Sequence, residues 1–376
     1  MRNGPGALFK LAPGTGGGYA PAGGDWAAGK TLRYADGTGD VDAEGVTLSG
    51  SGSAGGIYVA TERNNSANAI SRPAILRYDP ETAGTELRPT NDWNLSADLP
   101  GLGANLGLEA IAYVPDAYLT QRGFVDQNTS AAYDPSRYAN HGGGLFLVGV
   151  EQTGQVIAYA LDQTGNGFTR VASFASGFPS VMELHFEAET QKLWVVCDDT
   201  CQGRSGLFDV TSAGVFAPDV YYDRPAGMPN LNNEGFTTTP RAECVGGRKP
   251  AYWADDSSTD GYAVRRGTVR CTDPVVVPPT EPPATTPQTV DVRLTRKTIR
   301  AGQSTTLGIV LGSPATVRIL DGQRFVRRVE IGRSASVRLG GAFKPGLHRL
   351  RVRTVATAEQ ASVTSDVVVL RVKKRR

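Results

Sequence analysis

A glutamate recurs at the start of short strand-like segments in the first 271 residues. It occurs four times, and each time a stronger strand follows that ends in an acid. In an antiparallel pair, the start of the first strand and the end of the second meet at one edge. The repeat therefore predicts a rim of carboxylates, formed by the four glutamates Glu44, Glu109, Glu183 and Glu234 and by the strand-end acids Glu62, Glu151, Asp199 and Asp255 or its neighbour Asp256.

Crowded carboxylates repel one another and raise each other's pKa values, and a hard divalent cation relieves that repulsion. Calcium suits a wide ring of oxygen ligands, so the pattern predicts a calcium site. The segment 36–44 also spaces its acids at nearly calcium-loop intervals, but it lacks the glycine that an EF-hand requires. The alternative is that these acids cap turns by accepting backbone N–H bonds.

Few other residues could take part in catalysis. His185 follows Glu183 by two positions and so shares its strand face. Arg204 would lie near the rim and steady an anionic group, whereas Arg63 beside Glu62 is expected to pair with the acids. A serine triad would need His141 or His185, and the chain has no nucleophile elbow, metalloprotease helix, P-loop or dinucleotide fingerprint. We expect no nucleotide or organic cofactor, and the catalytic candidates are Glu109, Glu183, His185 and Arg204.

The segments that carry these residues are short, strand-like and separated by clusters of Gly, Pro, Asn and Asp. Four antiparallel strands that recur at intervals of roughly 50–75 residues are typical of a β-propeller, with one blade for each repeat. Four blades and a partial first one are recognisable, which indicates an N-terminally incomplete propeller with a five- or six-bladed parent. Residues 115–142 stretch the second repeat and are expected to form a long surface loop.

The four cysteines allow three pairings, of which we favour Cys197–Cys201 and Cys244–Cys271 because each pair brackets one local unit. The alternative is a four-thiolate zinc site, although the usual two-residue spacers are absent. Disulfides indicate a secreted or cell-surface protein. Residues 1–6 do not resemble a signal peptide, so the native protein is expected to begin upstream or to have been trimmed.

The balance of charge divides the chain in two. Residues 1–271 carry 20 Lys and Arg against 30 Asp and Glu, whereas residues 289–376 carry 19 against 5. Between them, residues 272–288 form a Pro/Thr-rich linker that is expected to be extended. Alternating strands after the linker predict an immunoglobulin-like β-sandwich without a cysteine pair. The chain is therefore predicted to be all-β, with a propeller, a linker and a basic sandwich.

The strand that contains Arg349, Arg351 and Arg353 places all three guanidinium groups on one face. This basic surface could serve solubility alone, or it could bind an anionic cell-wall polymer or polysaccharide. Aromatic side chains for stacking on bases are nearly absent, which disfavours specific nucleic-acid binding. No apolar run approaches the roughly 18–20 residues that a membrane helix needs, so we expect no transmembrane segment.

Four segments of the chain, 42–46, 56–63, 233–236 and 253–256, resemble the secreted phytase-like family known for "esterase-like activity of phytase". The resemblance covers about residues 7–271 and implies an acid-lined channel, a divalent metal and hydrolysis of a phosphoester or another ester by metal-activated water. Only the four inner glutamates and the strand-end acids match the family residue by residue. The substrate is expected to be a small anionic ester or phosphoester. Two alternatives stay open: a non-catalytic binding propeller with structural calcium, and a lactonase-like hydrolase.

Overall fold

The computed structural model describes residues 1–14, 18–271, 289–322, 324–340, 343–355 and 363–375. The chain forms two compact units, Met1–Val275 and Val276–Arg376. Within the described residues it has thirty strands and a single short α-helix, which confirms the all-β prediction. The predicted linker, residues 272–288, lies outside the described residues.

The first unit contains 22 strands and the helix α1 (Asp116–Gln121). The strands are β1 (Ala7–Leu8), β2 (Leu11–Pro13), β3 (Tyr19–Pro21), β4 (Lys30–Leu32), β5 (Val41–Ser49), β6 (Gly52–Asn64), β7 (Ser71–Tyr78), β8 (Glu86–Leu87), β9 (Pro89–Asn94), β10 (Leu108–Pro115), β11 (Val125–Asp126), β12 (Ala131–Ala132), β13 (Gly144–Val150), β14 (Gln155–Leu161), β15 (Phe168–Ala175), β16 (Glu183–Glu187), β17 (Lys192–Val196), β18 (Ser205–Val210), β19 (Phe216–Tyr222), β20 (Asn233–Thr238), β21 (Arg248–Asp255) and β22 (Val264–Arg270). Short 3-10 helices lie at Gly24–Trp26, Asn65–Ala67, Pro135–Arg137, Glu151–Thr153, Asp199–Cys201, Arg241–Glu243 and Thr259–Gly261.

Four antiparallel sheets follow one another along the first unit, in the strand orders β5-β6-β7-β9, β10-β13-β14-β15, β16-β17-β18-β19 and β20-β21-β22. Their first strands contact one another in a cycle, from β5 to β10, β16, β20 and back to β5. Up-and-down sheets arranged around one axis give a propeller-like architecture. The number of blades in the parent protein stays a prediction. The N-terminal residues add the hairpin β2-β3 and a small sheet, β1-β4-β8.

Each pair of consecutive sheets encloses its own apolar core. Tyr58 and Trp93 of the first sheet pack with Phe146 of the second, and the second and third sheets share a cluster that includes Leu147 and Phe208. Alternating side chains of a strand face opposite sides of the sheet, so a strand between two such cores is apolar on both faces. All seven residues of β13 are buried for this reason.

The insertion at residues 115–142 was predicted to be a surface loop, and that prediction is wrong in part. It contains α1 and the hairpin β11-β12, and its apolar side chains Tyr118, Leu119 and Phe124 are buried in the core between the second and third sheets. His141 links the end of the insertion to its beginning, because its Nε2 lies 2.8 Å from Asp116 Oδ2. Its Nδ1 contacts the carbonyl of Tyr138. Burial of these apolar groups outweighs the turn signals in the sequence.

The second unit consists of eight strands in two sheets. The strands are β23 (Val290–Leu294), β24 (Thr298–Arg300), β25 (Thr305–Leu311), β26 (Ala315–Asp321), β27 (Arg324–Ile331), β28 (Ser334–Leu339), β29 (Gly346–Thr354) and β30 (Val368–Lys373). The sheets have the orders β23-β25-β28 and β24-β30-β29-β26-β27, with β24 parallel to β30. Residues of both sheets form one apolar core, among them Leu307, Ile319 and Val352. The immunoglobulin-like assignment of this two-sheet unit stays a prediction.

Candidate functional site

Three of the four recurring glutamates lie at β-bulges in the first strands of their sheets. The pairing register shifts between Ala43 and Gly45, between Leu108 and Ala110, and between Asn233 and Gly235. The residues inside these shifts are Glu44, Glu109 and Glu234. A bulge adds a residue to one strand and turns its side chain out of the regular alternation. The bulges therefore let these strands keep their apolar pattern while they present a carboxylate.

The first and second sheets approach each other closely beside Glu44. A Cβ atom on Gly45 would lie 2.8 Å from the backbone nitrogen of Ile111 and 2.9 Å from the Cα atom of Ala110. Real Cβ atoms do not come that close to a backbone, so glycine is needed at this position. The close approach places the carboxylates of β5 and β10 side by side.

Five carboxylates form two groups that share one member. Within each group, one oxygen from each residue lies within 4.8 Å of the others. The groups are Asp42, Glu44 and Glu62, and Glu62, Glu109 and Glu151. Glu62 is 1% exposed, and its Oε1 accepts a hydrogen bond of 2.5 Å from the backbone N–H of Gly107. Glu62 thus joins the first sheet to the second at the centre of the site.

Two carboxyl–carboxylate hydrogen bonds link these residues. Burial raises the pKa of Glu44 and of Glu109 well above the usual range, and neighbouring acids raise both pKa values further. Glu44 is hydrogen-bonded to Asp42, and Glu109 is hydrogen-bonded to Glu62. Each bond raises the pKa of the first residue and lowers the pKa of its partner, which burial otherwise raises. In each pair, Glu44 or Glu109 is therefore the member whose pKa is raised more strongly.

The pKa values of two further acids fall near neutrality. Burial raises the pKa of Glu151 to about 7, with a contribution from the charge of Glu62. Burial raises the pKa of Glu234 to about 8, and the charge of Asp256 is the next largest cause. Asp198 contributes to both shifts. The site therefore extends over all four sheets.

Positive charge near these carboxylates is scarce among the described residues. Arg63 Nε lies 2.6 Å from Asp42 Oδ2, which is the ion pair expected for this arginine. Arg204, by contrast, stacks over Tyr221 at 5.4 Å and lies 3.5 Å from the exposed Asp223. Its guanidinium group therefore contacts the outer strand of the third sheet, and the structure does not place it among the carboxylates.

Glu183 and His185 also lie apart from the two groups. Glu183 pairs in regular register with Val196, and its Oε1 accepts the backbone N–H of Leu184 at 2.7 Å. Burial raises its pKa well above the usual range, opposed by backbone hydrogen bonds from Leu184 and Phe236. His185 Nε2 lies 3.3 Å from Thr238 Oγ1, and burial lowers the pKa of this histidine to about 4. Both side chains pack between the third and fourth sheets, where the imidazole is neutral at neutral pH.

The structure distinguishes between neighbouring acids that the sequence could not separate. Asp255 accepts the backbone N–H groups of Ser257 and Thr259 at 3.2 and 2.6 Å, so it caps a turn, while the charge of Asp256 acts on Glu234. Asp198, not Asp199, is the acid whose charge acts on Glu151 and Glu234. Asp42 was not among the predicted rim acids, although it lies in the segment 36–44, whose acids were noted for their nearly calcium-loop spacing.

Both predicted disulfides, Cys197–Cys201 and Cys244–Cys271, are present. All four thiols are used in these bonds, so the cysteines do not form the alternative four-thiolate zinc site. The first disulfide encloses Asp198, whose Oδ1 accepts hydrogen bonds from the Thr200 backbone N–H and hydroxyl at 3.0 and 2.6 Å. The disulfide loop thus holds one acid of the site in place.

Several solved structures resemble the chain weakly. The periplasmic gluconolactonase of Pseudomonas aeruginosa is 12% identical, with 98% of this chain and 96% of that chain covered and a TM-score of 0.30. A Lactobacillus plantarum protein is 10% identical, with 96% and 90% covered and a TM-score of 0.30. An extracellular domain of a B. thetaiotaomicron one-component system is 9% identical with a TM-score of 0.26; 92% of this chain is covered, but the match spans only 45% of that longer chain. Likeness at this level carries no inference about activity.

No curated protein matches the chain in a sequence search. The family model described as "Phytase-like: Esterase-like activity of phytase" matches residues 23–193. The matched segment contains the first two sheets, the beginning of the third and all five residues of the two carboxylate groups. Residues 23–193 are therefore similar to the phytase-like family.

Proposed function

We propose that the first unit is a hydrolase of phosphate or carboxylate esters that works with a divalent cation, for which calcium is the best candidate. The observation that carries this proposal is the pair of carboxylate groups joined by the buried Glu62. The family description supports ester hydrolysis as the class of reaction. Calcium is suited to several carboxylate oxygens in a flexible arrangement, and this donor set contains oxygen only.

The residues at the site fit such a cation. Glu151 Oε2 is buried and has no hydrogen-bond partner among the described residues, and an unpaired buried acceptor is costly. Burial and the charges of neighbouring acids raise the pKa values of Glu44 and Glu109, which favours bound protons, and Arg63 already pairs with Asp42. A cation would replace those protons and would satisfy the unpaired oxygen.

The roles of the residues follow from these contacts. Asp42, Glu44, Glu62, Glu109 and Glu151 would hold the cation, and Gly107 orients Glu62 through its N–H group. A divalent cation at such a site supplies a Lewis acid that polarises the ester and lowers the pKa of bound water. Asn232 Nδ2 donates to Glu234 Oε1 at 3.1 Å and orients the acid contributed by the fourth sheet.

The electrostatics of the site favour a substrate with little negative charge. Carboxylates dominate the site; the guanidinium group of Arg63 already pairs with Asp42, and that of Arg204 lies beside Asp223 on another part of the third sheet. A polyphosphorylated ligand needs several cationic contacts, so a monoester or a neutral ester is the better candidate. A lactone belongs to the same chemical class and is a third substrate to test.

The competing proposal is a non-catalytic propeller in which calcium is structural. His185 and Arg204 contact other residues and not the carboxylate groups, so the site lacks a neutral base and a free cation, and this favours the structural role of calcium.

An activity assay of the full chain separates the hydrolase from the structural site. It measures turnover of p-nitrophenyl phosphate, p-nitrophenyl acetate and a simple lactone, in calcium, manganese or zinc and in chelator. Metal-dependent turnover that Glu62→Gln abolishes and Asp134→Asn leaves intact supports the hydrolase. Calcium binding without turnover of any of the three supports the structural site.

We also propose that the protein is exported and that its second unit binds an anionic polymer of the cell surface. The two disulfides support export, since such bonds persist in oxidising compartments. The excess of 19 basic over 5 acidic residues in 289–376 supports the polymer. Among the described residues, no helix is both long and apolar enough to cross a membrane.

A further inference from the structure

We infer that the outward face of the five-stranded sheet in the second unit binds a linear polymer of phosphodiesters that lacks bases, such as a polyol phosphate. This inference rests on the proposed polymer binding and names the surface and the chemistry of the partner. The sheet has one face against the core, to which β29 contributes Leu350 and Val352. Side chains alternate along a strand, so Arg349, Arg351 and Arg353 all point outward from β29, and all three are exposed.

The pairing register brings arginines of three neighbouring strands into one row. Arg318 of β26 lies directly opposite Arg328 of β27 on one side and Arg353 of β29 on the other. Neighbouring strands are about 4.8 Å apart, and like charges directly opposite one another destabilise a sheet. The opposed pair Arg318 and Arg328 thus lowers the stability of the unit, and an anionic ligand would balance the two charges.

Few acids on this face compensate the charge. Besides the row of arginines, four basic side chains of β29 and β30 are exposed on this face: Arg349, Arg351, Arg371 and Lys373. Glu330, opposite Thr316, is the one acid among the described strand residues that point the same way. No ion pair within 4 Å involves Arg318, Arg328 or Arg351 among the described residues.

The spacing of the arginines favours phosphodiesters. Arg349, Arg351 and Arg353 are separated by two residues each, or about 6.7 Å along the strand. Six single bonds in an extended chain span about 7 Å, which is the separation of phosphates joined by three-carbon units. The planar guanidinium group binds phosphate oxygens with two parallel hydrogen bonds. Arg349 and Arg351 of β29 can therefore bind successive phosphates of such a chain.

The same face is poorly suited to nucleic acids that are held by base stacking. Phe325 is the one aromatic side chain among its described residues, and it lies on β27 at the edge of the sheet. Proteins that bind single strands stack successive bases on several aromatic rings. The other exposed apolar residues, Leu347 and Val369, can contact a short aliphatic spacer.

The experiment measures binding of the full chain to poly(glycerol phosphate), with polygalacturonate and single-stranded DNA as the other polymers. The test variant Arg318→Gln/Arg328→Gln/Arg351→Gln removes three charges from the face. The matched control Arg293→Gln/Arg333→Gln/Arg338→Gln removes three charges outside this face, from β23, β28 and the turn between β27 and β28. At low salt we expect the test variant to lose at least about tenfold in affinity and the control to lose much less, because each phosphate contact contributes separately.

A second measurement keeps a folding defect from being mistaken for lost binding. Relief of the arginine row should leave the thermal midpoint of the second unit unchanged or raised while binding falls. A test variant that binds like the wild type, or a wild type that prefers polygalacturonate or DNA, would overturn the inference but leave polymer binding in place. A wild type that binds none of the three polymers would overturn both.

Discussion

Glu109 and Glu183 lie within the first two residues of the first strands of neighbouring sheets, but only Glu109 lies at a β-bulge. Its carboxyl group is hydrogen-bonded to Glu62 and lies in one of the two carboxylate groups. Glu183 pairs in regular register and is hydrogen-bonded to backbone N–H groups. The bulge therefore decides which glutamate can join the site, and the two residues should respond differently to the same substitution.

Calcium should raise the thermal midpoint of the first unit, because a ligand that binds only the folded state stabilises it. At a calcium concentration of a hundred times Kd, the gain is about 2.7 kcal/mol. Glu62→Gln should abolish this shift, since Glu62 belongs to both groups, whereas Glu183→Gln should preserve it. All four tryptophans lie in residues 1–271, so tryptophan fluorescence reports on this unit alone. Identical melting curves in calcium and in chelator would remove the metal site.

The stability of the calcium-free first unit should fall as pH rises. Carboxyl groups with a raised pKa bind more protons in the folded state than in the unfolded state. Their stabilising effect is complete below the unfolded pKa of about 4.3 and is lost as pH passes the folded pKa. For Glu151 and Glu234 those folded values are about 7 and about 8. Melting in chelator from pH 5 to pH 9 measures the fall, and Glu151→Gln/Glu234→Gln should flatten it.

Calcium binding should release protons and should strengthen from pH 6 to pH 8.5. Burial and neighbouring acids raise the pKa values of Glu44 and Glu109, so protons compete with a cation for the same oxygens. Calorimetry in buffers of different ionisation enthalpy counts the protons. A binding enthalpy that is independent of the buffer would contradict the proposed proton exchange.

The buried ion pair of Lys249 and Glu187 should be essential for the stability of the first unit. Glu187 also accepts a hydrogen bond from Trp194 Nε1 at 3.3 Å, and Lys249 donates to the carbonyl of Thr239 at 2.8 Å. Lys249→Met leaves Glu187 buried without its partner and should cost about 3–5 kcal/mol in denaturant unfolding. Adding Glu187→Gln should recover much of the loss. The control Lys192→Met removes a more exposed partner of Asp209 and Asp219 and should cost less than about 1 kcal/mol.

The two disulfides should differ in their effects. Closing the chain between Cys244 and Cys271, which are 27 positions apart, contributes roughly 3–4 kcal/mol, against about 2 kcal/mol for the short Cys197–Cys201 loop. Replacing Cys244 and Cys271 by alanine should therefore lower stability more. Replacing Cys197 and Cys201 should weaken calcium binding more, because that loop holds Asp198. Equal losses of calcium affinity in both variants would show that the position of Asp198 does not matter.

The sequence alone determined the features that depend on local pattern. Alternation and turn residues indicated an all-β chain, the recurrence of glutamates located Glu44, Glu62, Glu109 and Glu151, and close spacing indicated the Cys197–Cys201 bond. The difference in charge between residues 1–271 and 289–376 marked two units. Each of these signals is carried by neighbouring residues, because strand periodicity and turn chemistry act over only a few positions.

Only the tertiary structure decided which acids meet and which do not. Asp198 and Asp199, or Asp255 and Asp256, are equivalent in sequence, and the turn after each strand selects one of them for the site. Glu183 resembles Glu109 in sequence, but the register with the second strand gives a bulge to one and not to the other. Arg204 and His185 are near the site in sequence but pack against Tyr221 and Thr238. A register shift of one residue reverses the face of a side chain, and register is fixed by pairing between strands that are distant along the chain.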